Sequence, residues 1–398
     1  MKEPKHYRIP WSGRSVIYNN AEMKTVMETM QKADPLTQGK YQKEFEKFFS
    51  EYIKTKHSFA VSNCTAALEL SAILSEIGKD DEIIIPGHTF CATAIPFART
   101  GAKIIWADID PKTRIVSANT ISKCITSRTK AIVIVHLYGL MAEMDSIMKL
   151  AKRNNLYVIE DCAQALGAEY KGKKAGSFGD FGCFSFHCQK SITTLGEGGM
   201  LTVKSDALAK LVPGLRHNGS RPYPLGRERF WLPAMSNVDF DLDNVWPYNF
   251  CLNEVQCALG IESLKNLDAM NQKRRKRAKK MITALKDFPE LSFQEIKEDK
   301  MHVYHLLSAK YDGNKFGKTR DNFIETMVQK YKIKTIIQYY PLYRYPIFKK
   351  AGFGKADCPN TDDFFDNMVS FPFHYWMSDK DFQYMIDSTK KTLIELRK

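Results

Sequence analysis

From about residue 58 to residue 210, short apolar runs alternate with helical stretches, and that alternation leaves few folds open. After a first strand at 58–62, the runs fall at 82–86, 103–107, 131–135, 156–159 and 181–186. Strands that alternate with helices in this way pair in parallel and are covered on both sides. The chain is therefore expected to be α/β. A large domain, residues 1–267, would hold a mostly parallel sheet with helices on both faces, and a smaller α+β domain would follow at 268–398. Residues 36–55 read as an amphipathic helix with Phe45, Phe48, Phe49 and Tyr52 on one side. Between 213 and 248 the periodicity is lost among Pro, Gly, Arg and aromatic residues. That stretch reads as a long loop, and long ordered loops in compact enzymes are usually functional. Helices are expected again at 253–267, 271–286, 318–331 and 378–396.

Composition narrows the classes. Of 398 residues, 44% are hydrophobic and 26% charged, enough for a substantial core. No apolar run is long enough to span a bilayer, and the start of the chain lacks an apolar signal core, so no export is expected. The nine cysteines form no Cys-x-x-Cys pair. They read as reduced thiols in a cytoplasm, with no disulfide frame and no metal site. The net charge is +14, densest at 272–280. That run reads as the solvated face of a helix whose Met270, Ala278, Met281 and Leu285 face the protein, so neither nucleic acid nor membrane is expected as a partner.

Chemistry enters with Lys190. It follows the apolar run 181–186 and precedes a turn, Gly196-Glu-Gly-Gly199, and a second apolar segment at 200–203. An amine held there is partly desolvated, which lowers its pKa and makes it a nucleophile toward an aldehyde. Ser185 and the loop around it would hold a phosphate. Lysine, hydroxyl and Gly-rich loop together suggest pyridoxal phosphate bound as a Schiff base; a surface lysine on a β-turn fits the same run. The run 156–159 ends in Glu160 and Asp161. Ligands in open α/β sheets bind outside the carboxyl ends of strands. Asp161 is placed either to pair with the cofactor's pyridinium nitrogen or to cap a following helix. A helix expected from Thr65 would offer free N–H groups and a positive dipole end to a phosphate, although Thr65 would serve equally as a plain N-cap.

These segments, Asp161-x-x-Gln164, Gly176-Ser-Phe-Gly-Asp180, Ser185-Phe, Lys190 and Gly196-Glu-Gly-Gly199, resemble the nucleotide-sugar aminotransferase family. That family belongs to the fold-type I pyridoxal-phosphate enzymes of the aspartate aminotransferase superfamily. The resemblance spans nearly the whole chain. Leu36-Thr-Gln-Gly39, Val61-Ser-Asn-Cys-Thr65-Ala-Ala67, Pro86-Gly-His-Thr-Phe90, Asp108-Ile-Asp110 and His136-Leu-Tyr-Gly139 follow in the family's order. The resemblance implies that Lys190 carries the cofactor and shuttles the proton. It implies that Asp161 pairs with the ring nitrogen, Gln164 lies near the 3-hydroxyl, and Phe90 stacks on the ring. Thr65, Ala66 and Ser185 would hold the phosphate. Asn249 would reach from one subunit of a homodimer to the neighbouring cofactor's phosphate.

The implied reaction is ping-pong transfer of an amino group from glutamate or glutamine to the ketone of a nucleotide-linked sugar, in the cytoplasm. The positive net charge would help capture a diphosphate. A sugar-nucleotide 3-dehydratase of the same family is the nearest alternative, but that branch carries histidine where Lys190 stands. A cyclitol ketone as acceptor is a second alternative. A non-catalytic basic binding or regulatory protein is a third, and it would have no need of Asp161, Gln164 and Lys190 together. Two departures from the family stand out. Gln338-Tyr-Tyr-Pro-Leu-Tyr343 lacks the histidines many members carry at its first and last positions. Cys251 replaces a commonly found arginine that helps hold the donor's carboxylate, a role expected to pass to Arg216, Arg221, Arg227 or Arg229.

Overall fold

A computed structural model describes residues 3–221, 231, 233, 236–242 and 245–398. In chain order the strands begin with β1 (His57–Val61), β2 (Glu82–Pro86), β3 (Lys103–Ala107), β4 (Thr129–Val135), β5 (Tyr157–Asp161), β6 (Glu169–Tyr170) and β7 (Lys173–Lys174). They continue with β8 (Phe181–Ser185), β9 (Gly199–Val203), β10 (Leu291–Phe293), β11 (Lys300–Met301), β12 (Leu307–Tyr311) and β13 (Met368–Phe371).

The large sheet has the order β1-β9-β8-β5-β4-β2-β3. The strands from β8 to β3 are parallel to their neighbours, and β9 runs antiparallel to both β1 and β8. The exception has a local cause. The segment joining β8 to β9 carries no crossover helix, and a direct return leaves only an antiparallel pairing. That return segment contains Lys190.

The central residues of the strands are apolar because both faces are covered. Ile84, Ile132, Ile134, Val158 and Phe184 pack into one buried cluster, and their neighbours Ile83, Ile85, Val133, Ile159 and Phe181 into another. The first is closed by helix Lys40–Ile53, where Phe45, Phe49 and Ile53 recur at helical spacing and are fully buried. The second is closed by helix Cys64–Leu74. The start of Lys40–Ile53 is capped from a distance: Glu254 accepts the N–H groups of Gly39, Tyr41 and Gln42 at 2.9, 2.6 and 3.2 Å.

The helices expected at 253–267 and 271–286 form one continuous helix, Glu254–Ala284. No Gly or Pro stands between 261 and 284 to break it. Its basic run is only partly a solvated face. Met270, Ala278, Met281 and the following Leu285 are buried as expected, but so is Arg274, which is 0% exposed. Arg277 also turns inward, donating to the carbonyls of His374 and Tyr375 at 3.0 and 2.9 Å.

Strands β10, β12 and β13 form a second, antiparallel sheet, and β11, β6 and β7 a small third one. Helices Arg320–Gln329 and Asp379–Leu396 supply Phe323, Met327, Met385 and Leu393 to the cluster on the second sheet. Ile9 belongs to that cluster too, since Arg8 and Ile9 both donate to the Lys332 carbonyl. The expected loop at 213–248 opens on a helical turn, Val212–Arg216; residues 222–230, 232, 234–235 and 243–244 lie outside the described residues. No described helix is long and apolar enough to cross a membrane.

Candidate active site

The carboxyl ends of β5 and β8 and the start of helix Cys64–Leu74 surround a cavity of about 530 Å³. Lys190, Asp161, Gln164, Phe90, Thr65 and Ser185 all line it. Six of the eight residues singled out from sequence are thus brought together. Ala66 and Asn249 do not line this cavity.

The Lys190 loop is closed by its own backbone. Phe186 N–H donates to Gly198 at 2.7 Å, Cys188 to Gly196 at 2.9 Å and Lys190 to His187 at 2.8 Å. From behind, the Arg274 guanidinium donates to Ser191 Oγ at 2.8 Å. Burial lowers the Lys190 pKa, against the raising effect of the nearby Asp161 carboxylate. The amine is therefore biased toward its neutral, nucleophilic form.

Asp161 is 6% exposed. Its Oδ2 accepts from Thr93 Oγ1 at 2.8 Å and its Oδ1 from Ala163 N–H at 3.1 Å. Burial raises its pKa, opposed by those two bonds and by the Lys190 charge. Burial is the larger effect, so a cation entering the cavity beside the carboxylate would favour its ionised form. Residues 162–168 are turns and irregular chain, so there is no helix for Asp161 to cap; the bond to Ala163 is a local Asx turn.

Gln164 accepts from Tyr138 N–H at 2.8 Å and donates to Tyr339 Oη at 3.1 Å. The Phe90 ring is 51% exposed and meets Tyr339 edge-on at 5.9 Å. Helix Cys64–Leu74 is capped by Asn63, not by Thr65: Asn63 Oδ1 accepts the Ala66 N–H at 2.8 Å. The Ala66 amide is thereby occupied, while Thr65 stands free to face the cavity. Ser185 Oγ accepts from His187 N–H at 3.3 Å.

The helix start is pressed directly against β9. A Cβ at Gly199 would lie 2.5 Å from the Asn63 carbonyl carbon and 2.8 Å from the Cys64 nitrogen, both backbone atoms that cannot swing aside. Gly199→Ala is expected to lower stability by about 1–3 kcal/mol, the usual range for overpacking. Urea unfolding checks this; an alanine variant as stable as the parent would show that the helix start yields to the added methyl.

Several lining residues carried no clear sequence signal: Thr93, His305, His374 and the N-terminal residues Trp11, Arg14 and Ser15. Tyr339 lies in the segment already marked as departing from the family. Of that segment Gln338 and Tyr339 line the cavity, whereas Tyr343 lies outside it and donates to Asp362 at 2.7 Å. Cys251 also lies outside, with Gln38 Nε2 3.5 Å from its sulfur. Arg216 is buried on Glu46 at 2.5 Å and the Ala60 carbonyl at 2.6 Å, and Arg221 pairs with Asp241 at 2.7 Å. Neither lines the cavity, and Arg227 and Arg229 lie outside the described residues. His136, Glu160 and Cys162 cluster nearby. Glu160 is already bonded to His136 and to the N–H groups of Gly176, Phe178 and Gly179, so it holds a loop.

A buried lysine and a buried carboxylate share one cavity at the carboxyl ends of a mostly parallel sheet, where an α/β enzyme places its site. The chain belongs to the DegT/DnrJ/EryC1/StrS aminotransferase family, whose profile matches residues 17–390. It is 33% identical to the spore coat polysaccharide biosynthesis protein SpsC of Bacillus subtilis, over 98% of each chain. It is 32% identical to the GDP-perosamine synthase of Escherichia coli O157:H7, over 84% of this chain and 89% of that one. Among solved structures it resembles a Streptococcus pneumoniae protein in its PLP form, with 25% identity and a TM-score of 0.84 over 98% of this chain and 100% of that one.

Proposed function

We propose that this chain is a pyridoxal-phosphate-dependent aminotransferase that moves an amino group from glutamate or glutamine to the ketone of a nucleotide-linked sugar. The observation that carries the reading is Lys190 and Asp161 lining one cavity, both buried, the lysine with its pKa lowered and the carboxylate with its pKa raised by that burial. The family supports it, and so does the likeness to a GDP-perosamine synthase.

The residues present fit the cofactor. Lys190 would take its aldehyde, Asp161 would face its ring nitrogen, and Thr65 and Ser185 would meet its phosphate beside the helix start. Phe90 and Gln164 would border the ring. Bound there, pyridoxal phosphate supplies a covalent carrier for the amino group and an electron sink. The chain's own work is then proton handling. Asp161 keeps the proton on the ring nitrogen. Lys190, whose charged form burial disfavours, would take the proton from the donor's Cα and later return one to the sugar carbon.

The same reading includes a homodimer. Met23, Met27 and Met30 form an exposed apolar stripe along helix Asn20–Lys32, and Leu195 and Trp246 are exposed as well; such surface favours self-association. Asn249 is exposed and outside its own subunit's cavity, as suits a residue that completes a neighbour's phosphate site. The nine free cysteines suit a cytoplasmic location. The division at residue 267 belongs to this reading too, with helix Glu254–Ala284 crossing it.

The holoenzyme should show a visible absorption band that borohydride removes. Glutamate or glutamine alone should change that band and release a 2-oxo acid, and a keto-sugar nucleotide should restore it. If both donors leave the spectrum untouched while the sugar nucleotide loses water, the dehydratase alternative replaces this reading. Cyclitol ketones belong in the acceptor panel.

A further inference from the structure

Both substrates of the proposed reaction carry an anion, the donor as a carboxylate and the acceptor as a diphosphate. An anion leaving water for a partly dry cavity needs a cation or several hydrogen bonds. The lining offers five basic side chains: Lys190, Arg14, His187, His305 and His374. Lys190 is committed to the reaction. Burial holds His305 well below the usual histidine range, and burial with Arg274 and Arg277 holds His374 down to about 4, so both are neutral at pH 7. His187 Nε2 lies 3.8 Å from the Glu197 carboxylate. Arg14 has no carboxylate within ion-pair distance among the described residues.

The placement of Arg14 is built by its neighbours. Ser12 Oγ donates to the Arg14 carbonyl at 2.7 Å and accepts the Arg14 N–H at 3.2 Å. Ser15 N–H donates to the Cys188 carbonyl at 3.0 Å, and Ser15 Oγ to the Gln189 carbonyl at 2.6 Å. Cys188 Sγ approaches the Gly13 carbonyl at 3.4 Å. The strap 12–15 is thus tied to the two residues preceding Lys190, and Arg14, exposed and without an ion-pair partner among the described residues, lines the cavity between the tied Gly13 and Ser15. Upstream, Arg8 and Ile9 anchor it to Lys332. The arginines first expected from the irregular loop offer no such group within the described residues, because Arg216 and Arg221 are already paired.

We propose that Arg14 is the cation that holds a substrate's anionic group in the cavity beside Lys190, an inference that rests on the aminotransferase reading above. A guanidinium suits either source, since carboxylate and phosphate oxygens both accept its paired N–H donors. The test measures the two half-reactions of the holoenzyme separately, glutamate on one side and a keto-sugar nucleotide on the other, in wild type, Arg14→Lys and Arg14→Gln. Arg14→Gln should raise the half-saturating concentration of at least one substrate on the order of 10- to 100-fold. The rate at saturation should change far less, and Arg14→Lys should recover part of the loss. A rise confined to glutamate identifies the carboxylate; one confined to the sugar nucleotide identifies the diphosphate.

Binding of glutarate and of inorganic pyrophosphate, followed by the cofactor's absorbance, gives a readout independent of turnover. At least one should bind wild type and be weakened in Arg14→Gln. The proposal is overturned if Arg14→Gln keeps parental half-saturation for both substrates and parental affinity for both anions. If wild type performs neither half-reaction, the functional reading fails instead, and the two anions still decide the role of Arg14.

Discussion

Lys190→Ala should fold, and its transamination should fall by about 10⁴-fold or more, the upper range for loss of a positioned acid–base and the covalent contact it makes. The fold does not depend on the amine. The loop is held by backbone bonds from Phe186, Cys188 and Lys190, and an alanine N–H at 190 still reaches His187. Burial already penalises the charged ammonium, so removing it should leave the apo protein as stable as before or slightly more so. The measurement is single-turnover conversion of cofactor supplied in its amine form, together with urea unfolding. Turnover within a few-fold of wild type would end the assignment of Lys190. An unfolded variant would show that the side chain supports the loop after all.

Much of this arrangement is readable before any coordinates. The runs at 82–86 and 181–186 are strands with both faces buried, and a doubly buried strand announces itself by a short run of mostly apolar residues. Asp161 and Lys190 were legible for a related reason: each polar residue stands where such a run ends, and strand ends are where an open sheet places its ligands. What stayed hidden depends on long-range packing. Nothing near Thr93 shows that its hydroxyl reaches back to Asp161, 68 residues away. Nothing in the N-terminal segment shows that Ser15 meets Gln189, 174 residues away. In sequence Arg274 is one of a run of bases that reads as a solvated face. Its burial is decided by what packs on that turn of the helix, not by its neighbours in sequence. The split of Glu254–Ala284 into two helices failed for the opposite reason. The apolar pattern weakens near 268, but no residue there ends a helix.

Asp161→Asn should separate charge from shape. The carboxamide oxygen can still accept the Ala163 N–H, and the Thr93 hydroxyl, which sits 2.9 Å from Thr89 Oγ1, can turn to accept from the new amide. The two-sided bracket around residue 161 therefore survives. The negative charge does not, and on the proposed reading with it goes the group that would keep the ring nitrogen protonated. Removing one preorganised charge from a buried site costs on the order of 10²–10³ in rate, so turnover should fall by about that much while cofactor affinity changes less. Stability gives the second reading. Burial raises the Asp161 pKa, so near pH 7 the ionised carboxylate is disfavoured in the folded apo protein relative to the unfolded chain. The apo Asn variant should consequently be no less stable than wild type. Thr93→Val supplies the contrast: it deletes one hydrogen bond, leaves the charge, and should lower turnover far less than Asp161→Asn. If Asp161→Asn instead unfolds more readily and keeps its turnover, the carboxylate serves the turn at 161–163, and the ring-nitrogen assignment must be given up.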